Sequence, residues 1–209
     1  MAKLYFRYGA MNSGKSTALM QVAHNYEEKC MQVSVMKSSI DTKGSDKLVS
    51  RIGLERKVDH LLTPDDSVYE NIKDVIPNIR CILIDEAQFL TPKQVEELFC
   101  ISKVKDVPVI CYGLRTDFQT NMFPGSKRLM ELADELEELT TICKCGKKAK
   151  FNARMIDGKF VSEGTQVAID GKDATYEPLC GECYIKYVNP IDKKIVKSKT
   201  LTLHNKEKD

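Results

Sequence analysis

Residues 4–17, "LYFRYGAMNSGKST", decide the fold: an apolar run meets Gly9, four residues intervene, and Gly14-Lys15-Ser16 opens a helix-forming segment. Gly9, Ala10, Met11, Asn12, Ser13, Gly14, Lys15 and Ser16 fit G-x-x-x-x-G-K-[ST] at every fixed position. Glycines at those places let backbone N–H groups close around a phosphate, at a helix N-terminus whose dipole favours anions. Lys15 is then expected on the β- and γ-phosphate oxygens and the Ser16 hydroxyl on Mg²⁺. A Gly/Ser turn can match by chance, but a strand before and a helix after is the context this loop requires.

Such a loop needs a second acid at the end of a neighbouring strand to hold the magnesium shell. Asp85 closes "CILID" (81–85) and Glu86 follows at once, at the carboxyl edge where open α/β sheets bind ligands. Two adjacent carboxylates can divide the work, one orienting the metal and the other taking a proton. A solvated strand end is the plainer alternative. "DEAQ" (85–88) also resembles the acidic box of helicases, although those motors couple two lobes and this chain has room for one.

Outward from the loop, "KLYFRY" (3–8), "VSVMK" (33–37), "RCILIDEAQF" (80–89) and "VPVICYG" (107–113) read as strands. Leu19, Val22, Ala23, Tyr26 and Cys30 share one face of the helix after Gly14. Further helices are expected from a Thr63-Pro64 cap over 64–75, from a Thr91–Gln94 capping box to about residue 104, and over 125–136. Residues 38–60 look polar and irregular. Short apolar strands alternating with helices imply an α/β fold with a mostly parallel sheet and flanking helices.

Hydrophobic residues make up 42% of the 209 and charged residues 30%, a soluble globular composition with room for one main domain and an appendage. A net charge of +2, from 32 basic and 30 acidic residues, gives no sign of a polyanion-binding surface. No stretch reads as a signal peptide or as a membrane span. Eight cysteines without a secretory signal suggest a reducing, cytoplasmic setting.

After Thr141 the chain turns glycine-rich, with Cys143-Lys-Cys145 and Cys180-Gly-Glu-Cys183 separated by 34 residues. Four thiolates can hold a tetrahedral Zn²⁺, and with no position left for water the site is structural. Ordinary buried cysteines or a redox pair are the alternatives. Cys30, Cys81, Cys100 and Cys111 lie in apolar patterns and are expected in the core. Lys144, Lys147, Lys148 and Lys150 could serve a nucleic-acid module, but no aromatic platform accompanies them and a solvated face is the simpler reading.

"GAMNSGKST", "SRIGL" (50–54), "IDEAQF" (84–89), "YGLRTDF" (112–118) and "YEPLCGECY" (176–184) together resemble the type II thymidine kinases, the zinc-containing cytosolic family, over about residues 3–190. The resemblance implies a P-loop, RecA-like core (1–141), a zinc-binding lasso domain (142–190) and, beyond it, a lysine-rich tail (191–209) expected to be disordered. It implies transfer of the ATP γ-phosphate to the 5′-hydroxyl of thymidine, and of deoxyuridine, with Mg²⁺ in the reaction and Zn²⁺ in the fold. It further implies dTTP as a feedback inhibitor, a homotetramer, and neither nucleic acid nor membrane as partner.

By position, the resemblance makes Glu86 the general base and places Asp85, Ala87 and Gln88 with the phosphate loop on the ATP and magnesium side. Phe118 would stack on thymine, Met11 and Leu114 would wall the base pocket, and Asn152 would lie near the thymine methyl. Val167, Ala168, Ile169, Asp170 and Gly171 would bond the base through their main chain, with Tyr176 closing the site. Two positions depart from the family: Lys43 stands where Asp-x-Arg is common, keeping the charge without the bidentate fork, and Cys183 stands where several relatives have histidine. A P-loop ATPase whose zinc ribbon acts on nucleic acid remains the competing reading. A nucleotide sensor without turnover is disfavoured by the intact Lys15, Ser16, Asp85 and Glu86.

Overall fold

The computed structural model describes residues 1–41, 44–164, 166 and 174–188. Lys43, the expected lasso at 167–171 and the expected tail at 191–209 lie outside the described residues. In chain order the first part comprises β1 (Leu4–Tyr8), α1 (Lys15–Glu27), β2 (Gln32–Ser38), β3 (Lys47–Val49), β4 (Glu55–Lys57), β5 (His60–Leu62), α2 (Val68–Ile72), β6 (Ile79–Asp85), α3 (Pro92–Val104), β7 (Val109–Gly113), α4 (Pro124–Leu132) and β8 (Glu135–Glu138). Six of these strands form one sheet in the order β5-β2-β6-β7-β1-β8, every neighbouring pair parallel. The four apolar runs of the sequence are its four inner and adjacent strands.

Those runs are apolar without alternation because both faces of the sheet are covered. Along β6, Ile79, Ile82 and Ile84 enter the core shared with α2, α3 and α4, whereas Cys81 and Leu83 enter the core shared with α1. Strand β7 divides the same way, Val109 and Cys111 to one side, Ile110 and Tyr112 to the other. Full burial of each large aliphatic side chain stabilises the fold by about 1.5–3 kcal/mol.

Four expectations are corrected. The helix expected from Thr63 begins later, capped by Ser67. Gln94 Nε2 donates to the carbonyls of Thr63 and Asp66 at 2.7 and 3.0 Å, and Asp66 Oδ2 accepts the Thr63 N–H, which fixes that stretch as a turn. The helix expected through residue 136 stops at Leu132, because Asp134 exchanges bonds with the Leu4 backbone (2.7 and 2.8 Å) and draws the chain into edge strand β8. The stretch 38–60 holds the antiparallel β3–β4 hairpin, whose Leu48, with Val58 just beyond it, packs on the α1 side. Cys30 and Cys100 are exposed rather than in the core, Cys30 beyond the end of α1 at φ 54°. The capping box at Thr91 and Gln94 is present as expected.

The second part comprises β9 (Thr141–Ile142), β10 (Lys148–Ala149), β11 (Phe151–Ile156), β12 (Lys159–Phe160), β13 (Thr175–Leu179) and α5 (Gly181–Val188). A β9–β10 hairpin and a three-stranded antiparallel sheet β12-β11-β13 enclose a small core of Ala149, Ala153, Leu179, Tyr184 and three of the cysteines. Tyr184 stacks on Phe151 at 5.0 Å, and its hydroxyl donates to the Phe118 carbonyl, which ties this part to the loop after β7.

Candidate active site

Strand β7 stands between β1 and β6, so the loop after β1 and the acids at the end of β6 converge over its end. Gly14 adopts the left-handed conformation (φ 76°, ψ 19°), which lets the loop turn directly into α1 without the backbone strain an L side chain would carry there. Lys15 is buried, its Nζ donating to Ala10 O at 2.9 Å and Gly9 O at 3.3 Å. Ser16 Oγ donates to Asp85 Oδ2 at 2.8 Å. Asp85 Oδ1 is buried and has no hydrogen-bond partner among the described residues. Burial raises the Asp85 pKa, opposed by the Ser16 hydroxyl and the Lys15 charge.

Glu86 leaves the strand in the left-handed region (φ 50°, ψ 38°), a conformation costing a non-glycine residue about 1–2 kcal/mol. That turn swings its carboxyl into the cavity wall. Burial, then the charges of Asp85 and Asp41, push the Glu86 pKa up to about 7. Gln88 is buried beside it: its Nε2 donates to Glu86 Oε2, and its Oε1 accepts the Leu114 N–H at 3.0 Å. Gly113 permits this, since a Cβ there would sit 2.8 Å from Gln88 Oε1.

At the other end, Leu114 and Phe118 come from the loop after β7. Phe118 is buried, and the Arg154 guanidinium covers its ring at 3.8 Å from the centroid. Arg154 Nε donates to Tyr176 Oη at 3.1 Å and Nη2 to Gln166 O at 3.3 Å. Gln166 Nε2 donates in turn to Asp117 Oδ2 at 3.1 Å. Asn152, two residues before Arg154 on β11, accepts the Met11 N–H at 2.8 Å through Oδ1. A single cavity of about 560 Å³ joins both ends.

Of the expected site residues, Met11, Asn12, Gly14, Lys15, Ser16, Glu86, Gln88, Leu114, Phe118, Asn152 and Tyr176 line that cavity. Asp85 lies behind Ser16, and Gly9, Ala10 and Ser13 form the underside of the loop around Lys15. Ala87 is fully buried in the main core, its carbonyl facing Gly125. Sequence reasoning missed Arg51, Asp117, Arg154 and Gln166. For Arg154 a signal existed: the period of two along β11 puts it on the same face as Asn152.

The sulfurs of Cys143, Cys145, Cys180 and Cys183 all lie within 4.8 Å of one another, Cys145 and Cys180 at 3.5 Å. A tetrahedron with Zn–S bonds of about 2.3 Å has edges of about 3.8 Å, so this donor set fits zinc. The β9–β10 turn shapes half of it, Cys143 accepting from Gly146 N–H and donating to Lys147 O at 2.8 Å each. Among the described residues no helix is long and apolar enough to cross a membrane.

The sequence model of the family described as thymidine kinase matches residues 2–184. A thymidine kinase of Ruegeria pomeroyi is 48% identical over 184 residues, covering 86% of this chain and 92% of that protein. The thymidine kinase of Enterobacteria phage T4 is 45% identical over 199 residues, 93% of this chain and all of that protein. A solved structure of two coordinating Pif1 helicases at forked DNA superposes with a TM-score of 0.40 at 15% identity, covering 67% of this chain and 40% of that one. A likeness that distant says nothing of what the chain binds.

Proposed function

The chain belongs to the thymidine kinase family, and on that premise we propose that it transfers the γ-phosphoryl group of ATP to the 5′-hydroxyl of thymidine, giving dTMP. The observation that carries this reading is the one cavity with the phosphate loop and Glu86 at one end and Phe118, Asn152 and Tyr176 at the other. A nucleoside at the second end presents its 5′-hydroxyl to the first. Glu86 accepts the hydroxyl proton, for which a pKa near 7 is well matched. Phe118, backed by Arg154, offers a face to the base, and Gln88 holds the Glu86 carboxyl in place.

Ser16 and Asp85 are the residues that would hold magnesium, and the unpartnered buried Asp85 Oδ1 fits a cation ligand. When bound, the metal neutralises charge on the phosphates. The four cysteines would hold a structural zinc. We take residues 1–141 as the ATP-binding domain and 142–190 as the zinc domain. Deoxyuridine as second substrate, dTTP as inhibitor, a homotetramer and a cytoplasmic setting belong to the same reading, as does the absence of a nucleic-acid partner.

The test is transfer of radiolabelled γ-phosphate from ATP to the four deoxynucleosides and deoxyuridine, with magnesium and without nucleic acid. Label on thymidine and deoxyuridine is expected. ATP hydrolysis that appears only with DNA or RNA, and no labelled nucleoside, would overturn the reading.

A further inference from the structure

The turn at the tip of the β3–β4 hairpin lines the site but has no role in the step so far, although "SRIGL" is among the stretches that mark the sequence. Its Arg51 and Ile52 line the same cavity as Lys15, Ser16 and Thr17. The turn is built, not loose. The Leu54 N–H donates to Ser50 Oγ at 2.9 Å, the Ser50 N–H to Leu54 O at 2.9 Å, and the Gly53 N–H to Ser50 O at 3.2 Å. At the hairpin base the buried Lys37 reaches the carbonyls of Ser45 and Lys47, and Leu48 anchors the inner side in the α1 core.

Charge then decides what Arg51 is for. Moving a phosphoryl group spreads negative charge over its three equatorial oxygens, and the protein must neutralise it. Among the described residues lining the cavity, the cations are Lys15 and Arg51. Lys37 is committed to Asp41 at 2.8 Å. Arg51 is exposed and makes no hydrogen bond or ion pair with any described residue, while Lys15 already bonds inward to its own loop.

We propose that Arg51 is a second catalytic cation that clamps the γ-phosphoryl group as it passes from ATP to the acceptor. The inference rests on the kinase reading. In the step, the bond between the γ-phosphorus and the β,γ-bridging oxygen breaks and the bond from the thymidine 5′-oxygen forms. The 5′-hydroxyl proton passes to Glu86, and ADP leaves with the bridging oxygen. A planar guanidinium can span two γ-oxygens at once, which an ammonium cannot.

The experiment compares full-length wild type with Arg51→Ala and Arg51→Lys in steady-state thymidine phosphorylation, together with calorimetric ADP binding. Arginines that act on a transferring phosphoryl group contribute about 10³–10⁵ in kcat, so a fall of at least about 100-fold is expected in the alanine variant. ADP lacks the γ-group, so its affinity and the KM for thymidine should stay within twofold, and lysine should restore part of kcat. Since the exposed side chain makes no hydrogen bond or ion pair with any described residue, Tm should not move. Wild-type kcat in Arg51→Ala, or an ADP affinity that falls as far as kcat, overturns the inference alone. If wild type leaves thymidine unlabelled, the kinase reading falls and takes this inference with it.

Discussion

Asn152 Oδ1 accepts a hydrogen bond from the Met11 backbone N–H at 2.8 Å, across 141 positions of sequence. The strand that supplies Asn152 belongs to the cysteine-bearing part, so that part holds the phosphate loop directly. Leaving the Met11 N–H without its partner costs about 1–3 kcal/mol. Asn152→Leu should therefore weaken ATP binding about tenfold, as well as thymidine binding, by titration calorimetry. An unchanged ATP affinity would show that the loop is held by its own bonds.

Glu86→Gln should abolish turnover and leave ATP affinity nearly intact, because the carboxylate acts on the acceptor and not on the nucleotide. The pH profile follows from the same group. Its pKa is raised to about 7, and only the ionised form accepts a proton, so kcat/KM should fall about tenfold per pH unit below that midpoint and level above it. A cation seated against Asp85 should draw the midpoint lower.

Arg154→Met removes the cation over Phe118 and the bonds to Tyr176 and Gln166. The expected result is a thymidine KM raised at least about tenfold, since each lost charged hydrogen bond contributes about 1.5–3 kcal/mol. ATP affinity should change less than twofold. Equal loss at both substrates would mean that Arg154 supports the whole site.

Metal removal should be felt at a distance. The cysteine-bearing part buries few large apolar groups, and zinc supplies small modules with about 10–16 kcal/mol of folding free energy. A loss of only about 3 kcal/mol would lower Tm by about 6–12 °C in a protein of this size. Chelation or Cys183→Ala should show that shift in calorimetry, accompanied by weaker ATP binding through Asn152.

What could be read from sequence was local. The phosphate loop lies within eight consecutive residues, and the inner strands announce themselves because both of their faces are buried. Strand β8, "ELEE", could not be seen that way: it is a polar edge strand defined by pairing with β1, about 130 residues away. The β3–β4 hairpin is hidden for a related reason: its strands KLV and ERK are three residues each, and the second is entirely charged. In the site, Lys15, Ser16 and Glu86 follow from motif chemistry. The Arg154–Phe118 contact and the Asn152–Met11 bond depend on where the second part docks, which no spacing encodes.

The order of the sheet also bears on how the chain is made. Strand β1 is synthesised about 100 residues ahead of β7 and about 130 ahead of β8, the two strands that flank it. At about 5–20 residues per second, the apolar "LYFRY" waits on the order of ten seconds before a neighbouring strand exists to cover it. The nascent chain therefore carries the strand that will bear its phosphate loop as an unpaired apolar segment until β7 is made. An unpaired apolar strand is the kind of segment through which nascent chains aggregate and which chaperones cover.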